Sequence, residues 1–284
     1  MTDTQNEVFK SPVNKIRLFE HGAPGSQNLK LTRKYYTEDM PDGRVKHIVQ
    51  NITDPDIVPY IPDGIGNSTD RQRIPAVLII PGGAFRRLVY NFEGEDVAKW
   101  LNSMGIAAFV LECRLPSDEH DNAEDVPLID AMRAMRVIRG RAQEFGIDEA
   151  KIGVMGFSAG GFMAALLSTA YESDVYVDYK YKDEYDKLSA RPDFAVCSYP
   201  VISIDDCIEA GKRYMSEEQV LERISDSKAK ILHKYNPDKL VRPDMPPVFI
   251  CETDDDRTTL SENSVGFYMA ARKAGVSAEL HIFR

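Results

Sequence analysis

Beyond residue 73 the chain alternates short, uniformly apolar runs with stretches whose apolar positions recur every three to four residues. The runs at 76–80, 107–111, 152–155, 194–198, 248–251 and 278–283 are too continuously apolar for strands with one wet face. They predict strands covered on both sides. Helices are predicted between them. At 91–104 the apolar face is Val97, Trp100 and Leu101; at 127–145 it is Leu128, Ile129, Met132, Met135 and Ile138; and 161–170 is small and apolar. A helix at 261–273 stops at Gly275. Such alternation predicts the α/β class, with a mostly parallel central sheet and helices on both faces.

Two regions break the rhythm. Residues 1–70 are polar and interrupted by Pro and Gly, and their short alternating pieces at 14–19, 29–36 and 47–52 predict edge strands and hairpins, followed by a loop at 62–73. Between the strands at 194–198 and 248–251, residues 202–247 form a long insertion with helical pieces near 216–224 and 225–234. A connection of that length predicts a small cap over a site within a single domain, 1–284.

Composition narrows the function. The 284 residues are 43% hydrophobic and 28% charged, which fits a globular chain with a sizeable core. A net charge of −10 argues against nucleic acid or an anionic membrane as partner. No basic, apolar leader and no membrane-length apolar run is visible, so the expected location is the cytoplasm. Cys113, Cys197, Cys207 and Cys251 are widely spaced, without a CxxC or His-Cys cluster, and read as small hydrophobes. No metal or cofactor is expected.

The strongest chemical signal is KIGVMGFSAGGFMAA, where a strand-like run ends in Gly156-Phe157-Ser158-Ala159-Gly160 and a helix follows at once. A serine acting as nucleophile must stand out on a sharp turn that tolerates only small neighbours, and the helix start aims N–H groups at it. Upstream, VLIIPGGAF carries a buried strand into a glycine loop. Acyl transfer needs donors for the oxygen that becomes negative, and the amides of Gly83, Ala84 and Ala159 are the candidates. An orienting acid is expected after a later strand, where VFICETDDDR offers Asp254, Asp255 and Asp256.

From residue 74 onward the sequence resembles the α/β-hydrolase esterases related to carbohydrate acetyl esterases, the acetyl xylan esterases sometimes labelled xylanases. The resemblance rests on PGGAF, EGEDVAKWLNSMGIAAFVLECRL, Asp130 and Arg133 in their helix, KIGVMGFSAGGFMAA, RPDFAVCSYPVIS, MPPVFI, SENSVGFYMAARKAGV and AELHIF. It implies an α/β-hydrolase fold, a cofactor-free serine esterase, and an acid seven residues before Asn263, which is Asp256 with Asp255 second. It also implies a small-molecule or oligosaccharide ester as substrate. Cys113 stands where the family's Tyr-Arg-Leu has its tyrosine.

One departure is chemical. The family places its catalytic histidine in a loop after the final strand, whereas this sequence stops at Arg284. His281 alternates with Ala278, Leu280 and Ile282 and is expected to be a strand residue; His21, His47, His120 and His233 read as surface histidines, with only His120 placed near a cleft. The expectation is a chain truncated from a longer enzyme, whose histidine follows within about ten residues in the family pattern. The competing reading is an inactive hydrolase fold that binds a sugar or ester, with Tyr90, Trp100, Tyr176, Tyr179, Tyr181 and Tyr199 as stacking faces.

Overall fold

In a computed structural model describing residues 9–65, 73–213, 216, 218–219 and 229–284, five of the six apolar runs become interior strands of one eight-stranded sheet and the sixth becomes its edge. In chain order the strands are β1 (Ile16–Arg17), β2 (Lys34–Asp39), β3 (Val45–Gln50), β4 (Asp56–Tyr60), β5 (Ile74–Ile80) and β6 (Leu88–Val89). After these come β7 (Ala107–Glu112), β8 (Ile147–Phe157), β9 (Ala195–Ser198), β10 (Val248–Thr253) and β11 (Ala278–Phe283). The large sheet runs β1-β4-β7-β5-β8-β9-β10-β11, parallel from β7 to β11 with β1 and β4 antiparallel at one edge. β2, β3 and β6 form a separate antiparallel sheet of three, so the predicted N-terminal hairpin exists.

The helices are α1 (Asp96–Ser103), α2 (Val126–Gly140), α3 (Ala142–Phe145), α4 (Ala159–Ala170), α5 (Ile204–Lys212), α6 (Ala229–Lys234) and α7 (Ser261–Lys273). The chain steps one way across the sheet from β5 to β7, then the other way from β8 through β11. Because parallel crossovers are right-handed, that reversal puts α1 on one face and α2, α4 and α7 on the other. It also opens a crevice at the strands' C-terminal ends, between β5 and β8, where α/β sheets bind ligands.

Several expectations need correction. Trp100 does not face the core: it is 55% exposed, and Ala98 and Leu101 are the buried residues of α1. β11 is no buried strand but a half-open edge, with Ile282 and Phe283 exposed, because only β10 pairs with it among the described residues. Tyr90 and Tyr176 are buried and present no stacking face. The predicted helix at 127–145 breaks at Arg141. β4 escaped notice because DPDIVPY reads as a turn, and its Pro59 is tolerated near the sheet's antiparallel edge.

The predicted cap is represented by α5 and α6; most of 216–224, the start of 225–234 and residues 66–72 of the predicted loop lie outside the described residues. Its root is pinned. Buried Asn263 at the start of α7 accepts the Ile202 and Ser203 amides at 2.9 and 3.1 Å. At its other end Lys234 pairs with Asp125 at 2.6 Å. The N-terminal segment is tied down by Arg114, wholly buried, which pairs with Asp130 at 2.7 Å and donates to Ser26 Oγ at 2.8 Å. Cys113 and Cys197 are buried free thiols, and burial pushes both thiol pKa values up. Among the described residues no helix is long and apolar enough to cross a membrane.

Candidate active site

Register brings the two glycine motifs side by side. Ile80 at the end of β5 pairs with Gly156 at the end of β8, so the loop starting at Pro81 and the turn at Ser158 leave adjacent strands together. Ser158 adopts φ 52° and ψ −117°, a conformation that L-residues rarely hold, and is immediately followed by α4. The turn can be this tight only because Gly160 has no side chain; a Cβ there would collide with the Ile80 carbonyl. The Ser158 amide donates to Ser198 O at 3.0 Å and its carbonyl accepts from Val201 N at 3.3 Å, so the turn is held from the β9 side as well.

The loop after β5 is equally unusual. Gly83, Ala84 and Phe85 all have positive φ, 139°, 56° and 59°. Seven non-glycine residues have positive φ among the described residues, and four of them, Ala84, Phe85, Ser158 and Tyr199, gather here. Strain concentrated in one crevice is the mark of a functional site. No backbone acceptor takes the amides of Gly83 or Ala84 among the described residues. Ala159, as the first residue of α4, has an amide outside the helix's own ladder. The loop that carries Gly83 and Ala84 and the start of α4 thus leave adjacent strands side by side, with Gly82 against Ser158. A small, mostly apolar cavity behind them is lined by Leu88, Cys113, Leu115, Pro116, Pro127 and Met163.

Two residues here were missed by sequence reasoning. Glu93, in a π-helical turn at Asn91–Glu95, accepts the Gly82 amide on Oε2 at 2.7 Å. Its Oε1 accepts the Tyr199 hydroxyl at 3.1 Å. A Cβ on Gly82 would lie 2.6 Å from Glu93 Oε2 and 3.1 Å from Ser158 Cβ, which fixes how close the carboxylate sits to the nucleophile. Burial raises the Glu93 pKa against the lowering effect of those two hydrogen bonds. Tyr199, expected only as a stacking ring, is instead a hydrogen-bonded post whose own pKa is driven far up by burial, with Glu93 next and a smaller push from Asp256. The available signal was Glu93's place opening the EGEDVAKW helix, where an acidic residue passes for an ordinary first-turn charge.

Past β10 the three aspartates separate by environment. Asp254 and Asp255 are exposed, while Asp256 is half-buried. Asp256 Oδ1 accepts the Thr258 and Thr259 amides at 2.6 and 3.0 Å, and Oδ2 accepts the Thr259 hydroxyl at 3.0 Å. A carboxylate held in this way has a fixed direction, which an orienting acid requires.

No histidine nitrogen hydrogen-bonds Ser158 or Asp256 among the described residues. His281 stacks on Phe249 at 5.0 Å along the edge strand, as expected. His120 is not a surface residue: it is 5% exposed, its Nδ1 lies 3.0 Å from Ser26 Oγ, and burial holds its pKa down at about 4. His47 is half-buried and stacks on Phe9 at 4.6 Å.

A mostly parallel sheet whose fifth and eighth strands deliver a glycine loop and a strained serine to one crevice defines the α/β-hydrolase fold. Residues 65–270 match the BD-FAE family, and the chain belongs to it. It is 30% identical over 210 residues to the acetylxylan esterase of Xylanibacter ruminicola, covering 73% of this chain and 39% of that protein. With endo-1,4-beta-xylanase B of Butyrivibrio fibrisolvens it shares 31% identity over 215 residues, covering 75% and 32%. The chain thus spans about a third to two fifths of the length of these curated relatives. Among solved structures, an acetyl ester-xyloside bifunctional hydrolase from Caldicellulosiruptor lactoaceticus superposes with TM-score 0.66 at 34% identity, covering 95% of this chain and 85% of that one. A thermophilic esterase from Thermogutta terrifontis shares the fold, with TM-score 0.61 at 24% identity, covering 92% and 83%.

Proposed function

We propose that this protein is a serine carboxylic-ester hydrolase that removes acetyl groups from xylan-derived or other acetylated oligosaccharides. The observation that carries the reading is the strained Ser158 at the start of α4, beside a loop that offers two free amides. In the proposed cycle Ser158 Oγ attacks the ester carbonyl. The oxyanion is held by the amides of Gly83, Ala84 and Ala159, the alcohol leaves, and water releases the acyl group. Asp256 orients an imidazole that takes the serine proton. The names of the curated relatives support acetyl and xylan as the chemistry.

The test maps where a serine-directed phosphonate attaches and follows 4-nitrophenyl acetate hydrolysis in the natural protein and in its Ser158→Ala variant. Labelling at Ser158 and a large loss of turnover in the variant are expected. Labelling elsewhere, or turnover that survives Ser158→Ala, overturns the assignment.

A further inference from the structure

Glu93 is the least comfortable group in the crevice. Its side chain is half-buried, yet among the described residues no lysine or arginine comes within ion-pair distance; Lys46 supplies only the weakest of the influences on it. A buried acid without a cationic partner costs stability, and folds rarely keep one for packing alone. The turn carrying it is nevertheless fixed on both sides. Asn91 accepts His47 N at 2.9 Å and donates to Val45 O at 2.8 Å, which clamps the turn to β3. Gly94 is buried, and a Cβ there would stand 3.0 Å from Val110 and 3.4 Å from Pro81. The i+5 hydrogen bond from Glu95 N to Tyr90 O, 2.8 Å, gives the wide turn that points Glu93 at the loop.

We propose that Glu93 is a positioning residue for the oxyanion hole. By accepting the Gly82 amide it takes that N–H out of the set of donors and locks the Pro81-Gly82 peptide; Val89 N donates to Gly82 O at 2.9 Å and holds the next peptide, which leaves the Gly83 and Ala84 amides to face Ser158. Its second oxygen, holding the Tyr199 hydroxyl, braces the loop against the strained residue that follows β9. The carboxylate touches no reacting atom; it acts through the loop. The proposal rests on the esterase reading and adds to it the group that sets the donors' direction.

Loss of one oxyanion-hole donor costs serine hydrolases about 10²–10³ in kcat, which sets the scale of the test. Glu93→Ala should lower kcat for 4-nitrophenyl acetate at least about tenfold with KM nearly constant, whereas Glu93→Gln, which still offers an oxygen to Gly82, should restore most of it. The Gly82 amide proton resonance should move upfield in Glu93→Ala and stay close to its original position in Glu93→Gln; this readout keeps the question open to decision even where turnover is too slow to compare. Unchanged kcat in Glu93→Ala, a loss confined to KM, or an unmoved Gly82 resonance overturns the proposal. Phosphonate labelling at Ser158 together with unaffected Glu93 variants would sink this inference alone, while absence of labelling at Ser158 would sink the esterase reading beneath it.

Discussion

Glu252, on β10, is 2% exposed; its oxygens accept the Thr253 amide at 3.0 Å and the Ser264 hydroxyl at 3.3 Å. Burial pushes its pKa up to about 7, and Asp256 adds to the rise. Folded protein therefore holds a proton on Glu252 where the unfolded chain has lost it, so this contribution is complete below the ordinary carboxyl range and disappears as pH rises through about 7. His120 works in the opposite sense: with its pKa lowered to about 4, its contribution is complete above the ordinary imidazole value and fades as pH falls toward 4. The two oppose each other in mildly acid solution, and above the imidazole range Glu252 acts alone. Glu252→Gln should therefore gain stability over the natural protein between pH 6.5 and 8, by up to about 3 kcal/mol, read from thermal melts at each pH. A gap that stays constant with pH would refute the assignment. Neither group was legible in the sequence. Each owes its shift first to burial, which depends on how distant segments pack rather than on adjacent residues. Ser158 was legible because its chemistry is written in adjacent residues.

At the level of elements, the join of β8 to α4 is where sequence and structure agree most closely. GxSxG predicts a turn that admits only small residues, and the Cβ that Gly160 lacks would meet the carbonyl of Ile80 on the neighbouring strand. Gly160→Ala should destabilise the protein by roughly 2–4 kcal/mol and shift the oxyanion loop, because the obstructing atom is backbone and cannot rotate away. Urea melts with an unchanged midpoint would show that the turn relaxes instead. The six apolar runs all became strands; for the five inside the sheet two-sided burial leaves a strong trace in composition, while the sixth, β11, is an edge. The acid was narrowed to three adjacent aspartates by pattern and to Asp256 by family spacing; its hydrogen bonds to Thr258 and Thr259 are compatible with that choice. Trp100 misled because an aromatic at helical spacing looks like core, while α1 needs only Ala98 and Leu101 to cover its part of the sheet.

Across the whole molecule, the N-terminal region is more than an appendage, a fact its polar sequence hides. β1 and β4 extend the main sheet, Lys15 and Arg33 both reach the wholly buried Glu112 at 2.7 Å, and Arg133 donates to Leu18 O at 2.9 Å. Polar residues that pair with one another across long separations resemble loop composition when read one at a time. The far side of the sheet is different. β11 offers its outer backbone groups to solvent, flanked by Ile282 and Phe283, which are 42% and 56% exposed, and by Val265 and Met269 of α7 at 39% and 59%. Such a rim invites another strand. Concentrated solutions of the 284-residue chain should accordingly form rim-to-rim multimers, detectable by light scattering, and Phe283→Lys should disperse them without altering the melting temperature by more than a degree or two. Colloidal behaviour, rather than conformational stability, would then set how much of this polypeptide can be handled in a test tube.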